Sequence, residues 1–184
     1  YFVGNYDGTT FTSNQKESQW VDYGTDNYAG VTFNNEPNNK RIFIGWMSNW
    51  DYAITTPTEA WRSGMTLPRE LSLIKEHDHY YLKSSVIDGF KALTTTIAEN
   101  DITGAYPYKF TYEKLQQSVL SFEADIQEKL LIIVSNNKKE SFKISYNINN
   151  GFIQLDRTKS GLVDFNKKYK ASAIQKMQIG NQKK

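Results

Sequence analysis

The stretch Gly45–Tyr52, "GWMSNWDY", sets Trp46 and Trp50 four residues apart, with Asn49 before the second ring and Asp51 after it. Just upstream, "VDYGTDNY" adds Asp22, Tyr23, Asp26 and Tyr28, and downstream "WRSGMTLPREL" brings Trp61, Arg62 and Glu70. Aromatic faces suit the apolar face of a ring-shaped ligand, and carboxylates and amides suit its polar rim. These residue types therefore line a pocket for a polar, ring-shaped molecule, or they are rings buried in a core. A metal centre is not expected. There is no cysteine, and His77 and His79 share a charged turn with no third ligand nearby. No cofactor is expected either.

The surrounding composition narrows the class. The chain has 184 residues, enough for one sizeable domain or two small ones. Its net charge is +2, with Lys and Arg spread along the chain rather than gathered in a basic patch, so no nucleic-acid partner is expected. No run of 18 apolar residues exists, so no membrane-spanning helix is expected. Aromatic residues make up 14% of the chain, more than a helical bundle needs. The start "YFVGNYDG" has neither an initiator Met nor the charge-then-apolar pattern of a signal peptide, and it opens inside a strand-like run. The chain is expected to be a piece of something longer.

The elements that would position these residues read as strands almost throughout. Asp7-Gly8 marks a hairpin within "YFVGNYDGTTFT". Across 28–87, "NYAGVTFNN", "KRIFIGWMSN" and the two halves of "WRSGMTLPRELSLIKEHDHYYLKSSVI" make four consecutive strands joined by turns at "NNEPNNK" and near His77-Asp78. One antiparallel propeller blade has this form. After Asp88-Gly89 the aromatics thin out. "SVLSFEADIQ", "LLIIVSNN", "SFKISYNINN" and "GFIQLDRT" read as strands of a β-sandwich. Residues 88–117 hold a short helix or an irregular crossing, and the domain boundary is placed there.

Four ordered blocks then carry a resemblance: "YFVGNYDGTTF", "VDYGTDNYAGVTF", "IGWMSNWDYAITTPTEAWRSGMTLPRELSL" and "FIQLDRTKSGLVDFNKKY". Over about 170 residues the chain resembles glycoside hydrolase family 32, the invertases, levanases, inulinases and other β-fructofuranosidases. The resemblance implies an all-β fold, a five-bladed β-propeller followed by a β-sandwich. On that map residues 1–87 are the end of the propeller and 88–184 an incomplete sandwich, lacking the family's late "D-x-S-x-x-E-x-F" stretch. It also implies retaining hydrolysis of fructosyl linkages, which needs two carboxyl groups about 5–5.5 Å apart. The family supplies them from "W-M-N-D-P-N-G" and "E-C-P" motifs, with a third Asp in "R-D-P". None of the three motifs occurs in these 184 residues. No catalytic residue is therefore assigned, and the chain alone is expected to be inactive.

The resemblance makes pocket wall the chain's contribution. Asp22, Tyr23, Asp26 and Tyr28 stand at the mouth of one propeller strand, and Asn49, Trp50 and Asp51 at the end of the next, because antiparallel strands return to the same end. Trp50, Asp22, Asp26, Asn49 and Tyr28 are the expected contacts to sucrose or a fructan oligosaccharide. Each has a plainer alternative. Asp22 could simply cap the turn at Tyr23-Gly24. Trp46, inside the apolar run "IFIGW", is expected in the core. Arg62 and Glu70 are expected in structural ion pairs, and "NNKKE" and "NQKK" as solvated turns.

Three roles follow: part of a β-fructosidase completed by further propeller blades, a fructan-binding module that does not cut, or a purely structural piece. The composition and the absence of N-x-S/T sequons fit a secreted or periplasmic bacterial protein.

Overall fold

The computed structural model describes residues 1–103, 107–169 and 172–176. Among them the regular structure is all β, interrupted by short 3-10 turns at Ala53–Thr55, Asp88–Leu93 and Leu115–Gln117. The chain divides into two units. One joins Tyr1–Val86 with Ile126–Lys184, and the other is Ile87–Asp125.

In the larger unit, β1 (Asn5–Tyr6) and β2 (Phe11–Thr12) form the small hairpin expected around Asp7-Gly8. Its turn is built by side chain as much as by backbone. The Asp7 carboxylate accepts the N–H groups of Thr9 and Thr10 at 2.8 and 2.7 Å, and Gly8 takes φ +100°. Those N–H bonds hold the Asp7 carboxyl below its ordinary range. Tyr1 ties this segment to the sheet beyond, since its hydroxyl accepts the Leu82 N–H at 3.1 Å.

The first main sheet contains β3 (Tyr28–Thr32), β4 (Arg41–Met47), β6 (Arg69–Glu76) and β7 (His79–Val86), antiparallel and in that order. A two-residue strand β5 (Gly64–Met65) pairs with the end of β4. These are the four consecutive strands read from 28–87. The "NNEPNNK" turn closes on Glu36, whose carboxylate accepts the N–H groups of Asn38 and Lys40 at 2.8 and 2.7 Å. Asn35 and Asn39 adopt left-handed backbone there, a conformation asparagine tolerates well. Gly30 is required by contact: a Cβ on it would lie 2.1 Å from the Phe43 ring.

The second main sheet has the order β11-β10-β9-β8, with β8 (Lys129–Ser135), β9 (Ser141–Asn147), β10 (Phe152–Lys159) and β11 (Ser172–Lys176). Asparagine side chains cap its hairpins. Asn136 accepts the N–H groups of Lys138 and Glu140, and Asn147 accepts that of Asn149. β8 alternates exposed and half-buried residues along its length, the period of two that a pleated strand imposes.

Two expectations differ from the structure. "SVLSFEADIQ", residues 118–127, forms no strand, and Val119, Leu120 and Phe122 are exposed. Its apolar alternation satisfies one face only. A strand also needs a neighbour for its N–H and C=O groups, and no pairing is found for it. The sequence reading also missed β11. Burial is sparse: among the described residues Tyr52, Ala53 and Ser48 are the buried side chains, while Leu73 and Ile74 of β6 and Leu131 and Ile133 of β8 are exposed.

Candidate functional site

Two loops leave the same end of the first sheet, 22–27 before β3 and 48–52 after β4. Their approach is permitted by Gly45, where a Cβ would sit 2.2 Å from the Asn27 amide oxygen. The loops are then joined directly. The Asn49 amide donates to the Thr25 carbonyl at 2.9 Å, and the Tyr52 hydroxyl lies 3.1 Å from the Thr25 hydroxyl and donates to the Asp26 carboxylate.

Asp22 serves its own loop. Its two carboxylate oxygens accept the Gly24 N–H at 2.7 Å and the Asn27 amide at 3.2 Å, so the turn-capping geometry considered for it is present. Asn49 likewise accepts the Asp51 N–H at 2.9 Å, and its carbonyl accepts the N–H groups of Tyr52 and Ala53. This tight turn leaves Trp50 at its apex, 68% exposed. Trp50 meets Trp46 edge to face, with ring centroids 5.1 Å apart, and Trp46 meets Tyr28 at 6.3 Å. Tyr28, Trp46 and Trp50 thus form one aromatic row, open to solvent at both ends.

Trp46 is therefore not a core residue. It is half-buried, its indole N–H donates to the Ser63 hydroxyl, and it pairs across the sheet with Tyr28 and Met65. The apolar run "IFIGW" suggests burial, but Trp46 sits at the end of β4, where the sheet gives way to the turn carrying Trp50. Glu70 forms the expected ion pair, 2.8 Å from Lys40, whereas Arg62 donates to the Ile54 carbonyl. His77 and His79 are exposed. Among the described residues no group of three His, Cys, Asp or Glu side chains could hold a metal, and no helix is long and apolar enough to cross a membrane.

Asp26 bonds to Tyr52 rather than to a ring of the row. It lines a cavity of about 760 Å³ together with Tyr23, Tyr52, Arg157, Phe165 and Tyr169. Arg157, on β10, reaches the second Asp26 oxygen at 3.6 Å and lays its guanidinium carbon 4.2 Å from the Tyr169 ring centroid. Tyr52 packs edge on against Phe165 at 6.2 Å and against Tyr169 at 5.3 Å. Burial, and then the bond to Asp26, push the Tyr52 hydroxyl up to about 12. Sequence reasoning missed Tyr52, Arg157, Phe165 and Tyr169. The signal lay in the block "FIQLDRTKSGLVDFNKKY", which brings an Arg and two aromatics, but nothing local says what they touch.

The profile of the glycosyl hydrolases family 32 N-terminal domain matches residues 1–84. A levanbiose-producing levanase of Geobacillus stearothermophilus is 30% identical over 179 residues, covering 92% of this chain and 45% of the relative. An extracellular exo-inulinase of Aspergillus niger is 31% identical over 189 residues, covering 90% of this chain and 34% of the relative. Among solved structures, the exo-inulinase of Aspergillus awamori aligns with a TM-score of 0.71 at 26% identity, over 96% of this chain and 37% of that one. The β-fructofuranosidase of Schwanniomyces occidentalis, complexed with fructosyl-erythritol, shares the fold at a TM-score of 0.69 and 22% identity, over 96% of this chain and 39% of that one. The chain thus spans less than half the length of these relatives. With blocks along nearly its whole length matching proteins of one family, the chain belongs to glycoside hydrolase family 32.

Proposed function

We propose that this chain forms part of a retaining β-fructosidase that hydrolyses fructosyl linkages in sucrose or fructans, and that its share is pocket wall. The observation that carries this reading is the open row Tyr28–Trp46–Trp50, flanked by the Asp22 and Asn49 turns. A fructosyl ring stacked on Trp50 would present its hydroxyls toward the carboxylate and amide side. Asp22 and Asn49 each use their oxygens on their own loops, and carboxylate or amide oxygens have lone pairs left for a hydroxyl donor.

In this reading residues 1–87 are the end of a five-bladed propeller and 88–184 belong to a β-sandwich. The remaining blades are partners whose packing covers the exposed sheet faces. The nucleophile and the acid/base carboxyl come from outside these 184 residues, which contain none of the motifs that carry them. The extracellular relatives support export of this protein as well. The absence of the carboxylate motifs also favours a second reading, a module that binds fructan without cutting it.

The experiment is paired. The gene's upstream reading frame is sequenced, and the 184-residue chain is titrated with a fructo-oligosaccharide. Binding lost in Trp50→Ala, with an "N-D-P-N-G" block encoded upstream, supports the enzyme reading. Binding without such a block supports the module. No binding at Trp50 removes both.

A further inference from the structure

The turn that presents Trp50 is held from far away in the sequence. The Lys168 ammonium lies 2.8 Å from the Asp51 carboxylate, 117 residues off, and the Asn166 amide donates to the Asp51 carbonyl at 3.4 Å and the Thr55 hydroxyl at 3.1 Å. Arg157 adds a third attachment through Asp26, whose other oxygen accepts the hydroxyl of Tyr52, two residues after Trp50. Arg157, Tyr169, Tyr52 and Asp26 therefore close a ring in which each member touches two others: guanidinium on Tyr169 ring, Tyr169 edge on Tyr52, Tyr52 hydroxyl on Asp26, and Asp26 on the guanidinium.

We propose that Arg157, Asn166 and Lys168 are positioning residues for the Trp50 wall, and that Asp26 works in this clamp rather than touching sugar. The inference rests on the reading of Trp50 as a sugar contact. The geometry explains the choice of residues. A planar guanidinium can stack on a ring and meet a carboxylate at once, whereas a lysine ammonium could keep the charge but not the stack. Asp26, unlike Asp22, is ion-paired: one oxygen takes the Tyr52 hydroxyl, the other faces the Arg157 guanidinium, and the side chain is 20% exposed. Tyr52, the most buried aromatic side chain described, is the rigid member between the two loops, bonded to Thr25 and Asp26 on one and followed directly by the 3-10 turn on the other. Loosening residues 157–169 would let the 49–52 turn rotate and carry Trp50 off its ligand without removing any group that contacts sugar.

The test uses 5-fluorotryptophan labelling, which gives four fluorine resonances, one for each Trp, assigned by single Trp→Phe variants. In Arg157→Met the Trp50 resonance is expected to shift and broaden while that of Trp20 stays native. The affinity for 1-kestose is expected to fall about tenfold, the equivalent of one lost contact of roughly 1.4 kcal/mol. Arg157→Lys should recover part of both effects. If Arg157→Met fails to fold, Lys168→Ala carries the same expectation, because Lys168 and Asp51 are exposed enough for the fold to survive their separation. A native Trp50 resonance in folded variants of both Arg157 and Lys168 overturns the clamp. If the Trp50 resonance moves but the native chain binds no 1-kestose, the clamp stands and the sugar-contact reading falls.

Discussion

Trp46 and Trp50 meet edge to face with ring centroids 5.1 Å apart, at the point where β4 ends and the Asn49 turn begins. The two rings do different work from adjoining places. Trp46 also holds Tyr28 and donates to Ser63, whereas Trp50 has one ring neighbour and lies 68% exposed. Trp46→Ala should therefore cost about 1–3 kcal/mol of stability, from two aromatic contacts and one hydrogen bond. Trp50→Ala should cost under about 1 kcal/mol. Urea titrations of both variants check this, and a larger loss from Trp50→Ala would reverse the assignment.

Alkaline pH should loosen the clamp around Tyr52. Its hydroxyl is raised from the ordinary value to about 12, first by burial and then by its bond to Asp26, and burial raises Tyr169 as well. A folded state with the higher pKa holds its proton longer than the unfolded chain. The contribution is therefore fully present below about pH 10 and is lost as pH climbs toward 12. Melting temperature should fall across that window, and the fall should be shallower in Tyr52→Phe. An identical slope in the variant would show that Tyr52 is not the group responsible.

The exposed faces of both sheets predict association. Leu73 and Ile74 on β6 and Leu131 and Ile133 on β8 leave apolar surface on sheets whose outer strands, β3, β7 and β8, each pair on one side only among the described residues. The isolated chain should sediment as oligomers and bind a hydrophobic dye. A single compact monomer with cooperative unfolding would contradict this.

Hydrolysis by the 184 residues alone is not expected, because the carboxylate motifs of the family are absent from them. Incubation with sucrose, inulin and levan should release no fructose above background. Release at a rate typical of enzymes, about 1 per second or more, would require a carboxylate pair within this chain.

The turns and the first sheet were legible because their signals are local. Asp7-Gly8, the asparagines around Pro37 and the His77-Asp78 turn each state their geometry in a few residues, and the alternation between them gives the strands. The aromatic row was half legible. Trp50 lies in a polar turn that advertises exposure, but Trp46 follows an apolar run that hides its place at a strand end. Residues 118–127 show the opposite failure, since Leu120, Phe122 and Ala124 alternate correctly without finding a strand to pair with. The clamp was not legible at all. Arg157 meeting Asp26, or Lys168 meeting Asp51, joins residues more than a hundred positions apart, and no local pattern encodes such a pairing.

Saturation-transfer NMR from this chain to a short levan or inulin oligosaccharide tests whether Trp50 touches sugar. Transfer to fructosyl ring protons from aromatic resonances is expected, abolished in Trp50→Ala and preserved in Trp61→Ala, whose ring is similarly exposed but meets no other ring among the described residues. Undiminished transfer in Trp50→Ala, or equal loss in both variants, would contradict that contact.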